Sequence, residues 1–328
     1  TWNVVANGTQ GESFAFFTNY STTVNVTTPI AQISINAPPS VVGVSITPGG
    51  AVTSNDLGAN FVFIDGDGNA NAGTRIQWFK DTVEQTALEN ISTVGSGNTS
   101  KGQEWKITVT PFDGLEFGSS VTSATVTIAS TAPTVSVVAF NDSSVQTLED
   151  VSASSTYADV DADAGTLTFR WFVDSSLVFT DVVNVAADAE GTSVLDSTNY
   201  TKGQTVNVSV EANDGSVSSA VVNSVSFVIV NTAPVASNVA IAPVQPQTVD
   251  DLNATFTYSD ADSDAESGSL IRWFKDNQEQ TALENVTTVD GSNTARDEVW
   301  FFRVRPRDGF VLGAEVQSGS VTIGSTAP

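Results

Sequence analysis

The sequence predicts an all-β protein made of tandem antiparallel β-sandwiches joined by short Pro-containing linkers, and three observations predict it. The first is an internal repeat. Ile76-Gln77-Trp78-Phe79-Lys80-Asp81 recurs as Ile271-Arg272-Trp273-Phe274-Lys275-Asp276, and both are followed within a few residues by Glu-Gln-Thr-Ala-Leu-Glu-Asn. A more distant copy reads Phe169-Arg170-Trp171-Phe172-Val173-Asp174. The second is a period of two. Trp105, Ile107, Val109 and Pro111 alternate with Lys106, Thr108 and Thr110, and the apolar face is kept by Val206, Val208, Val210 and Ala212 and by Trp300, Phe302, Val304 and Pro306. A constant apolar face under a variable polar one marks a half-buried antiparallel strand. The third is punctuation. Each copy carries an Asp-Gly turn (Asp113-Gly114, Asp214-Gly215, Asp308-Gly309) and closes on Thr-Ala-Pro, at Pro133, Pro234 and Pro328. Equivalent residues lie 93 to 102 positions apart, the length of one seven-stranded sandwich.

These marks divide the chain into residues 1–36, a first repeat over 37–133, a second over 134–234 and a third over 235–328. Trp78, Trp171 and Trp273 each follow an apolar residue two positions earlier, so they are predicted at the centre of each core. Burying one contributes on the order of 4–6 kcal/mol before entropy, from roughly 150–250 Å² at about 25 cal/mol per Å². No window of 11 residues shows helical periodicity, and residues 82–91 read as a strand-and-loop crossover. Proline fixes its own φ and restricts its predecessor, so the linkers should be semi-rigid. Residues 1–36 hold strand-like runs at 2–5, 14–17 and 23–35, too few for a sandwich. Two readings stay open. They end a preceding repeat, with Asn7-Gly8 in place of Asp-Gly, or they donate a strand to a neighbouring subunit. A head-to-tail donation does not close and builds a filament. The absence of Met at position 1 predicts a processed chain or a piece of a longer one, and the final Thr-Ala-Pro predicts that more chain follows.

Composition excludes much. Lys and Arg number 12 against 37 Asp and Glu, a net charge of −25. Phosphate binding needs clustered cations, so nucleic acid is not an expected partner, nor is anionic lipid. Metal cations are attracted. Cys, His and Met are all absent, which removes Ser-His triads, cysteine catalysis and most metalloenzyme sites. No stretch reaches the roughly 18 apolar residues of a spanning helix, so direct membrane insertion is not expected. The chain reads as a non-enzyme.

Before each central Trp lies an acidic loop: Asp65-x-Asp67-x-Asn69, Asp159-x-Asp161-x-Asp163 and Asp260-x-Asp262-x-Asp264. Alternate oxygen donors can converge on one hard cation, as in the first half of an EF-hand loop, although the closing glutamate is not at the expected distance. Asp113, Asp214 and Asp308 of the Asp-Gly turns are candidate further ligands for calcium. The same spacing also suits solvated Asx turns, and both readings stay open. A glycosidase carboxylate pair is disfavoured by the threefold recurrence.

Ten Asn-x-Ser/Thr sites occur, at Asn7, Asn19, Asn25, Asn90, Asn98, Asn141, Asn199, Asn207, Asn253 and Asn285. N-linked glycans at several of them are expected, surface-directed and solubilising. Arg303, Arg305 and Arg307 form a basic stripe on one strand face of the third repeat alone, a candidate assembly surface for an acidic neighbour.

The Asn-Thr-Ala-Pro boundary (Asn231 to Pro234), the acidic loop, the Trp strand and the Asp-Gly turn together resemble the immunoglobulin-like repeats, related to PKD and cadherin-like modules, of archaeal and bacterial cell-surface proteins. The resemblance covers about residues 37–328. It implies an extracellular location, a cadherin-like inter-strand calcium site, and surface architecture such as surface layers, adhesins, stalks and filaments. The expectation is a structural glycoprotein of a microbial, archaeal surface that assembles with itself into a filament, pilus or surface layer. A monomeric adhesin or stalk spacer and a carbohydrate-binding region of a secreted enzyme are the alternatives.

Overall fold

The computed structural model describes residues 35–326. They are all-β, with no α-helix among them, only 3₁₀ turns of three residues each. The first repeat contributes β1 (Ser40–Thr47), β2 (Leu57–Ile64), β3 (Arg75–Lys80), β4 (Val83–Glu84), β5 (Thr93–Val94), β6 (Glu104–Thr110), β7 (Val121–Thr122) and β8 (Val126–Thr127). The second contributes β9 (Thr134–Val135), β10 (Ala139–Phe140), β11 (Val151–Ala158), β12 (Gly165–Val173), β13 (Ser176–Val185), β14 (Glu190–Leu195), β15 (Thr205–Asn213), β16 (Val222–Asn223) and β17 (Phe227–Val228). The third contributes β18 (Val235–Ala242), β19 (Leu252–Ser259), β20 (Leu270–Lys275), β21 (Gln278–Glu279), β22 (Thr288–Val289), β23 (Val299–Arg305), β24 (Val316–Gln317) and β25 (Val321–Thr322).

Each repeat folds as two antiparallel sheets. In the first, β1-β2-β5 faces β4-β3-β6-β7, with β8 also on β6. The third repeats this as β18-β19-β22 and β21-β20-β23-β24, with β25 on β23. In the second, β10-β11-β14 faces β13-β12-β15-β16. The chain divides into two compact units, one ending at Thr131 and one beginning at Ala132. The second unit holds two sandwiches, each with its own core.

The alternation predicted for the long strand appears as Trp105, Ile107 and Val109 buried on β6, Val206, Val208 and Val210 on β15, and Trp300, Phe302 and Val304 on β23. Trp78, Trp171 and Trp273 have no exposed surface. A buried indole needs a partner for its N–H. Trp78 and Trp273 donate to the carbonyls of Ile91 and Val286, both at 2.8 Å, and Trp171 donates to Ser193 Oγ at 3.1 Å. The first and third cores share an edge-to-face indole pair, Trp78–Trp105 at 6.1 Å and Trp273–Trp300 at 6.3 Å. The second has Val206 where the others have Trp105 and Trp300. Phe140 of β10 fills that volume, 6.0 Å from Trp171 and 4.9 Å from Phe227.

The linker threonines fasten to the preceding sandwich. Thr131 Oγ1 lies 2.6 Å from Thr53 Oγ1, Thr232 Oγ1 accepts from Thr147 N at 3.1 Å, and Thr326 Oγ1 lies 2.7 Å from Thr248 Oγ1. At Gly313 the backbone passes so near the Pro234 carbonyl that a Cβ would lie 2.0 Å from its oxygen. Only glycine allows that approach. It presses the start of the third repeat against the loop carrying Asp308.

Candidate metal-binding loops

The first Asp of each acidic loop immediately follows a core strand, β2, β11 or β19, and turns the chain toward the Trp strand. Its Oδ1 accepts two backbone amides. Asp65 takes Asp67 N and Asn69 N, both at 2.9 Å; Asp159 takes Asp161 N at 2.8 Å and Asp163 N at 3.2 Å; Asp260 takes Asp262 N at 2.8 Å and Asp264 N at 3.1 Å. The predicted Asx geometry is therefore present in all three. It accounts for one oxygen only. Oδ2 of Asp65, Asp159 and Asp260 is buried without a hydrogen-bond partner. Asp159 as a whole is 7 % exposed. A buried anionic oxygen with nothing to compensate it costs free energy, so its recurrence in three repeats is informative.

Among the described residues, two groups of three carboxylates bring one ligand atom each within 4.8 Å of one another: Asp159, Asp161 and Asp163, and Asp260, Asp262 and Asp264. The Asp-Gly turns point to the same places. Burial, then the charges of Asp159, Asp214 and Asp163 and a contact with the Asp159 side chain, push the Tyr157 phenol up to about 12. In the third repeat burial, then Asp260, Asp308, Asp264 and Glu266, push Tyr258 up. The Tyr258 hydroxyl is buried without a hydrogen-bond partner, and the Tyr157 hydroxyl is buried against the Asp159 side chain. Each is a neutral oxygen under the charges of both the acidic loop and the Asp-Gly turn. Tyr157 and Tyr258 precede the first Asp by two residues; the first repeat has Phe63 there. That regularity was in the sequence, but a lone Tyr in a strand reads as core.

The three sites are not equivalent. In the first repeat Asn69 replaces the third Asp, and its Nδ2 donates to Asn36 Oδ1 at 2.7 Å. Asn36 Nδ2 donates to Asp113 Oδ2 at 2.8 Å and Glu116 Oε1 at 3.0 Å. Asp67 Oδ2 accepts from Ala37 N at 2.5 Å. Hydrogen bonds from the linker thus close this loop. In the third repeat the linker acts alike, with Asn231 Nδ2 donating to Asp308 Oδ2 at 2.7 Å and Thr232 N to Asp262 Oδ2 at 2.6 Å. Here a cation from the second repeat is added. Lys202 Nζ pairs with Asp264 Oδ2, donates to Asn231 Oδ1 at 2.9 Å and lies 4.5 Å from the Phe310 ring centroid. Thr147, also of the second repeat, donates its hydroxyl to Asp262 Oδ1.

Asp113 and Asp308 are buried, at 7 % and 4 % exposure, and their carboxyls are held below the ordinary range. For Asp113 the Glu116 amide leads, against burial, with Asn36 and the Leu115 amide adding to it. For Asp308 burial is the largest influence and raises the value, but the Asn231 bond and the Val311 and Phe310 amides together outweigh it. A depressed folded-state pKa stabilises the fold above the unfolded value of about 3.9 and is lost as pH falls through the folded value. Urea unfolding between about pH 7 and pH 3 should therefore show stability falling below about pH 4. Asp308→Asn should flatten that fall for the third repeat. An unchanged profile would show that this carboxylate does not drive acid sensitivity.

The other sequence-selected residues spread over the surface. Asn90 and Asn285 are exposed at positive φ (64° and 61°), and their Oδ1 atoms accept from Ile76 N at 3.0 Å and Ile271 N at 3.1 Å. Asn141 is exposed and accepts likewise from Ser152 N at 2.8 Å. Nδ2, the atom an N-glycan would occupy, takes no part in these bonds. Asn98 and Asn199 donate through Nδ2 to the carbonyls of Gly95 and Asp196, at 3.2 and 3.0 Å. Asn253 Oδ1 accepts from Thr288 Oγ1 at 2.9 Å, and Asn207 lies on β15 opposite Phe172. Asn7, Asn19 and Asn25 lie outside the described residues. The arginine stripe is engaged within its own repeat. Arg303 packs 4.9 Å from the Phe274 ring centroid, donates to Gln317 Oε1 at 3.1 Å and pairs with Glu315 at 3.5 Å. Arg305 Nε donates to the Gly313 carbonyl at 3.4 Å, and Arg307 lies beyond the end of β23.

No family model and no curated protein matches the chain. Among solved structures, the chain is similar to the FN1–FN3 domains of chicken CNTN1, at 12 % identity over 88 % of this chain and 99 % of that one, with a TM-score of 0.27. It is similar to a Ca²⁺-stabilised adhesin that helps an Antarctic bacterium bind ice, at 16 % identity over 89 % and 74 %, with a TM-score of 0.31. It is also similar to three N-terminal domains of the highly immunogenic outer capsid protein of bacteriophage RB49, at 13 % identity over 87 % and 99 %, with a TM-score of 0.28. At these scores the likenesses carry no functional weight. The all-β class of tandem sandwiches rests on the strand pairing itself.

Proposed function

We propose that this chain is an extracellular structural protein whose tandem sandwiches are stabilised by calcium held in the acidic loops. The observation that carries the reading is the buried, unpartnered Oδ2 of Asp159 beside the carboxylates of Asp161 and Asp163. Three carboxylates, the Tyr157 hydroxyl and the Asp214 turn supply oxygen donors only, which suits a hard cation and no soft one. Asp159, Asp161 and Asp163 would hold the ion, with Asp214 closing the site. Asp260, Asp262, Asp264 and Asp308 form its counterpart in the third repeat. The first repeat, with Asn69 and Phe63, is the weakest candidate. Calcium would neutralise the converging carboxylates and lock loop to turn.

The absence of His and Cys and the net charge of −25 accord with a surface role rather than catalysis. Self-assembly into a filament or surface layer and N-glycosylation at the exposed sequons, Asn90, Asn141 and Asn285 first, belong to the same reading. Melting in calcium and in chelator is the test. Higher melting in calcium, traced to residues 151–214 by hydrogen exchange, supports it. Identical melting in both sinks the metal.

A further inference from the structure

β13 is the longest strand among the described residues, with ten residues, and it ends its sheet. It pairs with β12 from Gly165↔Val185 to Val173↔Ser176, and its other side has no strand neighbour among the described residues. The equivalent edges of the first and third repeats are blunted. There β4 and β21 are two residues long and give way to the 3₁₀ turns Thr86–Leu88 and Thr281–Leu283. Asn90 and Asn285 then exchange hydrogen bonds with the backbone of Ile76 and Ile271, as a strand neighbour would. Such devices prevent edge-to-edge pairing. The second repeat has neither the short strand nor the bridging Asn, and its one irregularity is a bulge at Val178, near the start of β13. Its edge exposes Leu177 at 55 % and Val182 at 57 %, with Val178 and Phe179 also exposed. Asp181 is its one charged residue, and none of the ten sequons falls on it. A long apolar edge of this kind is a template for an added strand.

The chain's own N-terminus has the chemistry to fill it. Residues 1–34 contain a single charged residue, Glu12, in a chain of net charge −25. Residues 21–28 read Ser-Thr-Thr-Val-Asn-Val-Thr-Thr, six of eight being β-branched, and Pro29 ends the run. An uncharged donor avoids the repulsion that would oppose pairing two acidic surfaces, and β-branched residues suit a strand. We propose that residues 21–28 of a second copy add as a strand along the free edge of β13. This rests on the self-assembly reading and names its contact.

The chain has no cysteine, so single-cysteine variants carry one thiol each. Paired strands about 4.8 Å apart lie within disulfide reach. Chains carrying Thr180→Cys or Val182→Cys are mixed with chains carrying Val24→Cys or Asn25→Cys and oxidised mildly. The expected result is a disulfide between the two kinds of chain. Adding Val178→Lys and Leu177→Lys to the acceptor should abolish it while its melting stays unchanged. A Thr180→Cys chain that links only to itself, or a Thr180→Cys/Asn25→Cys chain that closes on itself as a monomer, overturns the proposal. So does the absence of any link. Electron microscopy of wild-type protein separates the two failures. Ordered fibres without the link refute the β13 contact alone, whereas isolated chains refute self-assembly as well.

Discussion

Asp159→Asn should abolish the calcium response of the second repeat and leave its calcium-free stability unchanged or higher. The opposite signs follow from what each atom does. Asp159 Oδ1 holds the loop through the amides of Asp161 and Asp163, and an asparagine Oδ1 can do the same. Oδ2 is the buried oxygen without a partner. Exchanging it for Nδ2 removes one charge from a carboxylate cluster and gives the neighbouring carboxylates a donor. Without metal that relieves repulsion; with metal it deletes a ligand. Extracellular calcium modules have a Kd of about 10⁻⁴–10⁻³ M. Calcium at about 10 mM then stabilises the wild-type repeat by about 1.4–2.7 kcal/mol. For a domain of this size that is a rise in Tm of about 6–20 °C. The check is differential scanning calorimetry of wild type and variant in calcium and in chelator. If Asp159 served only as a turn residue, the variant would melt alike or lower in both and the wild type would show no calcium increment. Asp67→Asn should change the calcium increment far less, because Asn69 and Asn36 already close the first loop by hydrogen bonds.

The core was legible because its signal is local. Trp78, Trp171 and Trp273 stand in period-two strands, and alternation alone says which face is inward. The acidic loops were legible for the same reason, since an Asx turn fixes the spacing of its own carboxylates. What the sequence did not disclose depends on residues far apart in the chain. Phe140 replaces a tryptophan from another strand. Asn36 is what takes the Asn69 amide as a hydrogen-bond donor. β13 was hidden by its relatives. The corresponding residues 82–91 of the first repeat carry turn residues and read as a crossover, and in the second repeat the same region continues as a strand. The arginine stripe reads as a face, but its partners Phe274 and Gln317 lie on neighbouring strands whose register the sequence leaves open, and Glu315 lies just before one of them.

Lys202 is the plainest instance, and replacing it gives the second large effect. It sits in a turn of the second repeat, in the same Lys-Gly pair that Lys101-Gly102 forms in the first, and reads as a solvated charge. In the fold it reaches Asp264 and Asn231 and acts as a tethered cation in the third repeat's loop. Its pKa is raised, chiefly by the Asp264 bond. A raised value means that its stabilising contribution is complete below the unfolded pKa of about 10.4 and is lost only as pH rises through the folded one. The ammonium is therefore present across the neutral range. It compensates one carboxylate. Asp262 is served by Thr147 and Thr232, and Asp260 Oδ2 stays unpartnered. A divalent ion held by all three carboxylates would compete with the lysine for the charge of Asp264. Calcium binding and the lysine contact are then linked, and linkage is reciprocal. Lys202→Met should tighten calcium binding at the third loop by about fivefold or more, the low end of ordinary coupling between sites. In chelator the same variant should exchange amide hydrogens faster around Asn231 and Thr232, where the second and third repeats meet, and calcium should restore their protection. Titration calorimetry and hydrogen exchange read the two effects. Unchanged calcium affinity in Lys202→Met would show that the ammonium and the metal do not compete. Faster exchange that calcium fails to reverse would show that Lys202 holds the junction by itself, with no ion able to take its place.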